Sequence, residues 1–515
     1  MNRHIFTRIL SAGLAALLTA SVFSACSESA ENADLPETAD SQAADDAVPG
    51  EPVTDVPEED AKILPDLPEI TFDGADFRFY QWNIDGWRPW NDLYSEELTG
   101  EPINDNVFLR NSTIEEKYNV VITCRNDEYT TFESNVRIAV QAGEDDFDVI
   151  VSMGHDIPRM YTYNVFYNLH DVPYLDFEKP WWDKNCIESF TLLGYMPFTV
   201  SDMTILDKGV ASATFFNKNM AADYGITGLY DCVYEGNWTI DKLIETGTVV
   251  ETDTNGNGRR DDEDVYGLVC GDDPVYMLFH SAGGRYISQD ENGMPAVSFQ
   301  SENNFTAIQY YLEKLMYDEN LTCNNSFKSG RMGENKLFAE DHGLYLMTNI
   351  KATNELREME SDFGILPIPK YQAEQDHYSS SVSVFGTNLI SVPITTQHLE
   401  MTGVLLEALA AESRYTLIPA FYDTVIKDKS TRDRESADML DIIFGNMVFD
   451  VGDFYSLADF PDYFLRITGS AAALGRDQRT SDIASFWAKK QKLMEVELKK
   501  LIKVIEQWNE MDRGG

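Results

Sequence analysis

A twelve-residue stretch in the middle of the chain has the composition of a loop built around a hard cation. In Asp253-Thr254-Asn255-Gly256-Asn257-Gly258-Arg259-Arg260-Asp261-Asp262-Glu263-Asp264, side-chain oxygens fall at positions 1, 3, 5, 9 and 12. Gly258 takes position 6, where such loops turn sharply, and Arg259 at position 7 offers its backbone carbonyl. Ca2+ takes about six to eight oxygen ligands in a forgiving geometry, which one short loop of this kind can supply. The expected ligands are Asp253, Asn255, Asn257, the Arg259 carbonyl, Asp261 and Asp264, around one structural Ca2+. Asp264 stands where a bidentate Glu is usual, so the site is expected to be weaker or to recruit Glu263 or a water. Val265-Tyr266-Gly267-Leu268 then reads as a strand, which rules out a paired helix–loop–helix.

A second stretch carries aromatic chemistry. Gln81-Trp82-Asn83-Ile84-Asp85-Gly86-Trp87-Arg88-Pro89-Trp90 places three Trp in nine residues, interleaved with Asn, Asp and Arg. Indole faces can cover the C–H face of a sugar ring while neighbouring polar groups bond its hydroxyls. Trp82, Trp87 and Trp90, with Asn83 and Asp85, are therefore candidate ligand contacts. Ser152-Met153-Gly154-His155-Asp156 is a further candidate loop. Among motifs that would carry catalysis, there is no phosphate loop, no His-Glu-x-x-His and no Gly-x-Ser-x-Gly. A pair of carboxylates for glycoside hydrolysis is not legible among 87 acidic residues.

The elements that must position these loops alternate between strand and helix. Phe77–Tyr80, Val120–Ile122 and Phe147–Val151 read as strands; Ile103–Tyr118 and a segment carrying Phe132, Val136 and Val140 read as helices. This is the pattern of a parallel α/β sheet, which binds ligands at the carboxyl ends of its strands. Both candidate loops follow such strands. The chain closes on an amphipathic helix with Ile483, Phe486, Trp487, Met494, Leu498, Leu501, Ile505 and Trp508 on one face, capped by Ser481 or Asp482.

The ends add a location. Arg3, His4 and Arg8 precede an uncharged apolar run, Ile9 to Phe23, and Phe23-Ser24-Ala25-Cys26 looks like the box that directs lipid attachment to a cysteine. Residues 1–26 are thus expected to be a lipoprotein signal, with Cys26 lipidated. Residues 27–66, rich in Ala, Asp, Glu and Pro and free of aromatics, are expected to be a disordered acidic tether. The net charge of -47 argues against binding nucleic acid or anionic lipid by overall charge, and for a soluble monomer. Beyond Cys26, Cys124, Cys186, Cys232, Cys270 and Cys323 match no zinc spacing and are expected to be mostly buried thiols, with room for one bridge.

Several stretches, taken in order, resemble the extracellular solute-binding proteins of ABC importers, family 1, the class that includes maltose-binding protein. They are Gly100–Asp105 leading to Ile114–Val120; Phe147–Ile150; Ala211 with Thr214–Lys218; Asn237–Thr239 before the Asp253 loop and Tyr266-Gly267; Lys336–Ala339; Gly343–Met347; and Gly364–Lys370. The resemblance implies an α/β fold of two lobes joined by crossing hinge strands, the two-lobed periplasmic-binding-protein-like (type II) fold. It places the crossings near Met203–Val210, Gly343–Thr348 and Gly386–Val392. The implied N-lobe is 67–207 plus 344–388, and the implied C-lobe is 208–343 plus 389–515, with the loop 253–264. It implies an interlobe cleft lined by the Trp loop, Gly154, His155, Asp202, Tyr276, Thr348, Asn349 and Tyr455. Asn349 stands where maltose binders carry an aromatic. The implied function is capture of a sugar or oligosaccharide, without catalysis, and delivery to ABC permease subunits by a protein lipid-anchored on the outer face of the cell membrane. A surface-anchored carbohydrate-active enzyme and a structural surface lipoprotein are the alternatives. Two acyl chains give lasting membrane attachment, so Cys26→Ala is expected to release the protein into the medium; retention in the membrane fraction would contradict the assignment.

Overall fold

The computed structural model describes residues 62–512 except 84–87, 89, 157–159, 161–162, 272, 325–331, 427–433 and 461–481. The signal, Cys26, the tether up to residue 61, Asp85 and Trp87 lie outside the described residues.

Strands β1 (Ala75–Asn83), β2 (Val120–Glu128) and β3 (Val149–Met153) alternate with helices α1 (Pro102–Tyr118) and α2 (Tyr129–Ala142), as the sequence pattern requires. Local chemistry sets the boundaries. The Glu101 carboxylate caps α1 by accepting the Asn104 N–H at 2.7 Å, and Pro102 occupies the first turn, where no N–H is needed. Gly143, at φ 76°, ends α2 in the left-handed conformation. The chain continues through β4 (Ser212–Asn217), β5 (Tyr266–Cys270), the hairpin of β6 (Ile287–Gln289) and β7 (Pro295–Val297), and β8 (Thr322–Asn324). It then passes through β9 (Gly343–Asn349), β10 (Phe363–Leu366), β11 (Ser380–Ser381), β12 (Asn388–Ser391) and β13 (Met447–Val448).

Two sheets organise the two lobes. The first has the order β12-β3-β1-β2, with β1 parallel to both β2 and β3 and β12 antiparallel on β3. The second has the order β10-β4-β9-β5-β8, with β9 parallel to β5 and antiparallel to β4. All five residues of β3 and all six of β4 are buried, as strands covered on both faces must be. The residues from Ile63 onward form one compact unit.

The lobe boundaries differ from those expected. Of residues 344–388, those in β9 and β10 do not belong to the first lobe: β9 lies at the centre of the second sheet and β10 at its edge. Residues 389–515 do not all belong to the second. β12 returns the chain to the first sheet, and helices Leu399–Tyr415 and Leu417–Ile426 pack against α1. The reason is topological: a crossing segment looks alike in sequence whichever sheet it enters, and only its pairing partner decides. The segment expected to cross near Met203–Val210 is buried but contains a short helix, Leu206–Gly209, in place of a strand. Helix Ile483–Asp512 buries the eight apolar residues expected, and Asp482 accepts the Ser485 N–H at 3.0 Å as its cap. The five described cysteines are unbridged.

Two buried carboxylates give the fold a pH dependence. Glu407 accepts hydrogen bonds from the indole N–H groups of Trp181 (3.1 Å) and Trp182 (2.8 Å), and burial pushes it up to about 7. Asp450, which accepts the Tyr286 and Gly452 N–H groups, is pushed up by burial to about 6. Both folded values lie above the ordinary carboxylate range, so the folded state holds these protons more tightly than the unfolded chain. Their contribution is therefore fully present only below about pH 4, where both states are protonated, and is lost as pH rises through about 6 to 7. The melting temperature is expected to fall between pH 5 and pH 8, with a shallower slope in Glu407→Gln. A melting temperature that rises over that interval would contradict this.

Candidate functional site

The carboxyl ends of β1, β2 and β3 converge on one edge of the first sheet, because the three strands run parallel in adjacent positions. β2 delivers Tyr129 there, and β3 delivers Gly154, His155 and Asp156. The crossing before β12 adds Phe385. The backbone fixes this arrangement: Gly154 N–H donates to the Thr387 carbonyl at 2.9 Å, and His155 N–H to that of Val384 at 3.1 Å. Glycine is needed at 154, since a Cβ would fall 2.6 Å from Cε1 of Phe454.

The side chains form a small mixed surface. The His155 ring stacks on Phe385, with centroids 4.7 Å apart and planes 27° apart. His155 Nδ1 lies 3.3 Å from the Tyr129 hydroxyl and 3.3 Å from Asp156 Oδ1. Phe385 is 37% exposed, which leaves ring surface open to solvent. Asp156 is 4% exposed, and its Oδ2 has no hydrogen-bond partner among the described residues. A buried carboxylate oxygen without a donor is costly, and a ligand hydroxyl would supply one. The part-exposed Phe385 suits the apolar face of a sugar ring, while Asp156 Oδ2 is closed to solvent and would meet a ligand hydroxyl only if the site opens.

Trp82 and Trp90 do not line that surface. Trp82 is completely buried, and its indole N–H donates to Asn388 Oδ1 at 3.0 Å. Trp90 is 6% exposed and packs edge-on against Phe421. Both are corrected to core residues. Arg88 pairs with buried Asp92 at 2.8 Å and also donates to the Trp82 carbonyl at 3.1 Å, so this residue serves the local fold. Asn83 ends β1 and is half-buried. Three other expected contacts are likewise committed to packing. Asp202 pairs with Lys208 (3.3 Å) and Arg414 (3.1 Å). The buried Tyr276 hydroxyl donates to Asp453, and Tyr455 packs against Phe198. Thr348 and Asn349 end β9 half-buried, Asn349 opposite Ser212. Gly154 and His155 directly follow β3, at the carboxyl edge of the first sheet. Asp156 closes the candidate loop 152–156 but is not among the expected cleft contacts; Tyr129 and Phe385 lie outside the candidate loops, although Tyr129 directly follows β2 and Phe385 precedes the expected crossing at Gly386.

The acidic loop 253–264 is exposed over most of its length and leads into β5. Asp253 Oδ2 accepts the Gly258 N–H at 2.9 Å, Asn255 Oδ1 accepts that of Asn257 at 3.0 Å, and Asn257 Oδ1 accepts that of Arg259 at 2.7 Å. Gly258 takes φ 71°, which a side chain would disfavour. Asp264 is buried and accepts the Thr254 and Asp261 N–H groups, each at 3.0 Å. Asp261 accepts from the amide groups of Asn255 and Asn257. Among the described residues no three His, Cys, Asp or Glu side chains are gathered to hold a metal ion.

No family model matches the chain, and no curated protein matches it in sequence. Solved structures do match its fold. A cyclic alpha-maltosyl-1,6-maltose binding protein from Arthrobacter globiformis aligns with a TM-score of 0.53 at 12% identity, covering 84% of this chain and 99% of its own. The maltose/maltodextrin-binding domain of Bdellovibrio bacteriovorus, bound to maltotriose, gives 0.51 at 16% identity, covering 82% and 100%. An ABC substrate-binding protein from Listeria monocytogenes in complex with cycloalternan gives 0.51 at 12% identity, covering 84% and 100%. The chain shares the two-lobed α/β fold of these carbohydrate-binding ABC substrate-binding proteins.

Proposed function

We propose that this protein is an extracytoplasmic, lipid-anchored binding protein that captures a sugar or oligosaccharide between its lobes and hands it to ABC permease subunits. The observation that carries the reading is the pairing of Phe385, with ring surface open, and Asp156, with a buried oxygen lacking a donor, at the carboxyl edge of an open α/β sheet. The fold neighbours' carbohydrate ligands support the same class of solute. The sugar's apolar face stacks on Phe385, and a ring hydroxyl donates to Asp156 Oδ2. Closure brings the second lobe's residues, including those at the end of β9, onto the same ligand, so the ligand favours the closed form. Binding needs no bond to break, and the protein is expected to leave the sugar unchanged. Calorimetric titration with linear and cyclic glucose oligosaccharides tests this. Losing a central aromatic contact costs about 2 kcal/mol, so Phe385→Ala is expected to weaken binding by about thirtyfold, and Asp156→Ala to weaken it as well. Variants that bind as tightly as the parent would remove this surface from the site.

We further propose that loop 253–264 holds one structural Ca2+. The donor set fits: Asp253, Asn255, Asn257, Asp261 and Asp264 supply side-chain oxygens, Arg259 a carbonyl, and turning either Asn amide exchanges its nitrogen for oxygen. The ion would neutralise clustered carboxylates at the entrance to β5. A ligand that binds only the folded state, at about a hundredfold above its Kd, adds about 2.7 kcal/mol of stability. A chelator is therefore expected to lower the melting temperature of the parent and leave Asp253→Ala unmoved; a parent curve indifferent to chelator would contradict the proposal.

A further inference from the structure

The C-terminal helix presents the opposite charge to the rest of the chain. On its outward side Lys489, Lys492, Leu493, Val496, Lys499, Lys500 and Lys503 are all exposed. At about 100° per residue they fall within one arc of about 120°, and at about 1.5 Å rise the stripe is about 21 Å long. No acidic residue shares it. Of the neighbouring acids, Glu495 accepts from Gln491 at 2.9 Å and Glu497 accepts the Ala458 N–H, while exposed Glu506 and the Asp482 carboxylate near Lys489 flank the two ends of the stripe. None of these five lysines makes an ion pair among the described residues, in a chain with 87 acidic and 40 basic residues. Leu493 and Val496, at the centre of the stripe, are 45% and 42% exposed. The inward face, from Ile483 to Trp508, already holds the helix on the body, so the stripe is not needed for folding.

We infer that this stripe docks the folded body on an anionic lipid surface. A convex ridge of long cationic side chains flanking two aliphatic ones matches a flat, laterally mobile layer of acidic headgroups, with the aliphatics reaching the acyl boundary. Each lysine near such a surface strengthens binding by about fivefold. The attraction is local, because the charge of the rest of the body is screened over about 10 Å at ordinary salt. Among the described residues no helix is long and apolar enough to cross a membrane, so the contact is peripheral. It would set the orientation of the lobes relative to the membrane, independently of any sugar.

The test uses the chain from Ser27 onward, which keeps the whole compact unit and lacks the apolar leader and any acyl chain. It is sedimented with vesicles of phosphatidylcholine alone or of phosphatidylcholine mixed with phosphatidylglycerol. Binding to the mixed vesicles at low salt is expected, with loss at high salt and none to phosphatidylcholine alone. The combined variant K489Q/K492Q/K499Q/K500Q/K503Q is expected to bind at least about tenfold more weakly with an unchanged melting temperature. Absence of parent binding to the mixed vesicles, or equal binding by the variant, would overturn the inference. Binding to an immobilised acidic polypeptide with none to vesicles would also overturn it and give the stripe to a protein partner.

Discussion

Asp92 is fully buried, and its two oxygens accept hydrogen bonds from Arg88 at 2.8 Å, the Ile205 N–H at 3.1 Å and the Asn388 amide at 3.2 Å. Asn388 in turn accepts the Trp82 indole N–H. Through one carboxylate, the end of β1, the crossing at residue 205 and the returning strand β12 are joined. A buried charge is tolerable only when paired and fully hydrogen-bonded, and removing one partner of such a pair costs about 3–5 kcal/mol. Beside it Arg110, 1% exposed, donates to the carbonyls of Leu93 and Met203 and to the Ser413 hydroxyl, which ties α1 to the same crossing and to helix Leu399–Tyr415. Burial lowers the Arg110 guanidinium to about 10, so it is still charged at neutral pH.

This network explains how a candidate site can sit at the junction of moving parts. The edge of the first sheet that carries Tyr129, His155 and Asp156 is bonded through Gly154 and His155 to the crossing segment 384–387, which also carries Phe385. The stacked His155–Phe385 pair therefore spans a strand end and a hinge. Under the proposed function, a ligand resting on Phe385 would touch the segment that leads from the second sheet to the first, and its binding energy would act on the open–closed balance. The network around Asp92 joins the end of β1, residue 205 and β12 on the side of the first sheet.

Much of the fold was legible because periodicity is local. The spacing of Val107, Ile114 and Tyr118, the Gly143 stop and the eight-residue apolar face of the last helix all follow from one segment at a time. The lobe boundaries were not, because the assignment of β9 and β12 depends on partners far apart in sequence. The Trp loop misled for a related reason. Interleaved Trp and polar residues read as an exposed stacking surface, yet Arg88 neutralises Asp92 and the indole of Trp82 finds Asn388, about three hundred residues away. Asp156 was hidden for the converse reason: nothing local distinguishes a carboxylate with a spare buried oxygen from the chain's many solvated ones. The calcium-type loop, with side-chain oxygens at positions 1, 3, 5, 9 and 12, is the most local of the candidate sites, since one segment carries its whole donor set.

The central claim is that a carbohydrate closes the two lobes. Solution scattering from the protein, alone and with each member of a series of linear and cyclic oligosaccharides, tests it most directly. A ligand that raises the melting temperature is expected to reduce the radius of gyration as well, and Phe385→Ala is expected to need a higher concentration of the same ligand for the same compaction. A sugar that binds tightly with no change in the radius of gyration, or a series in which none binds, would contradict the account.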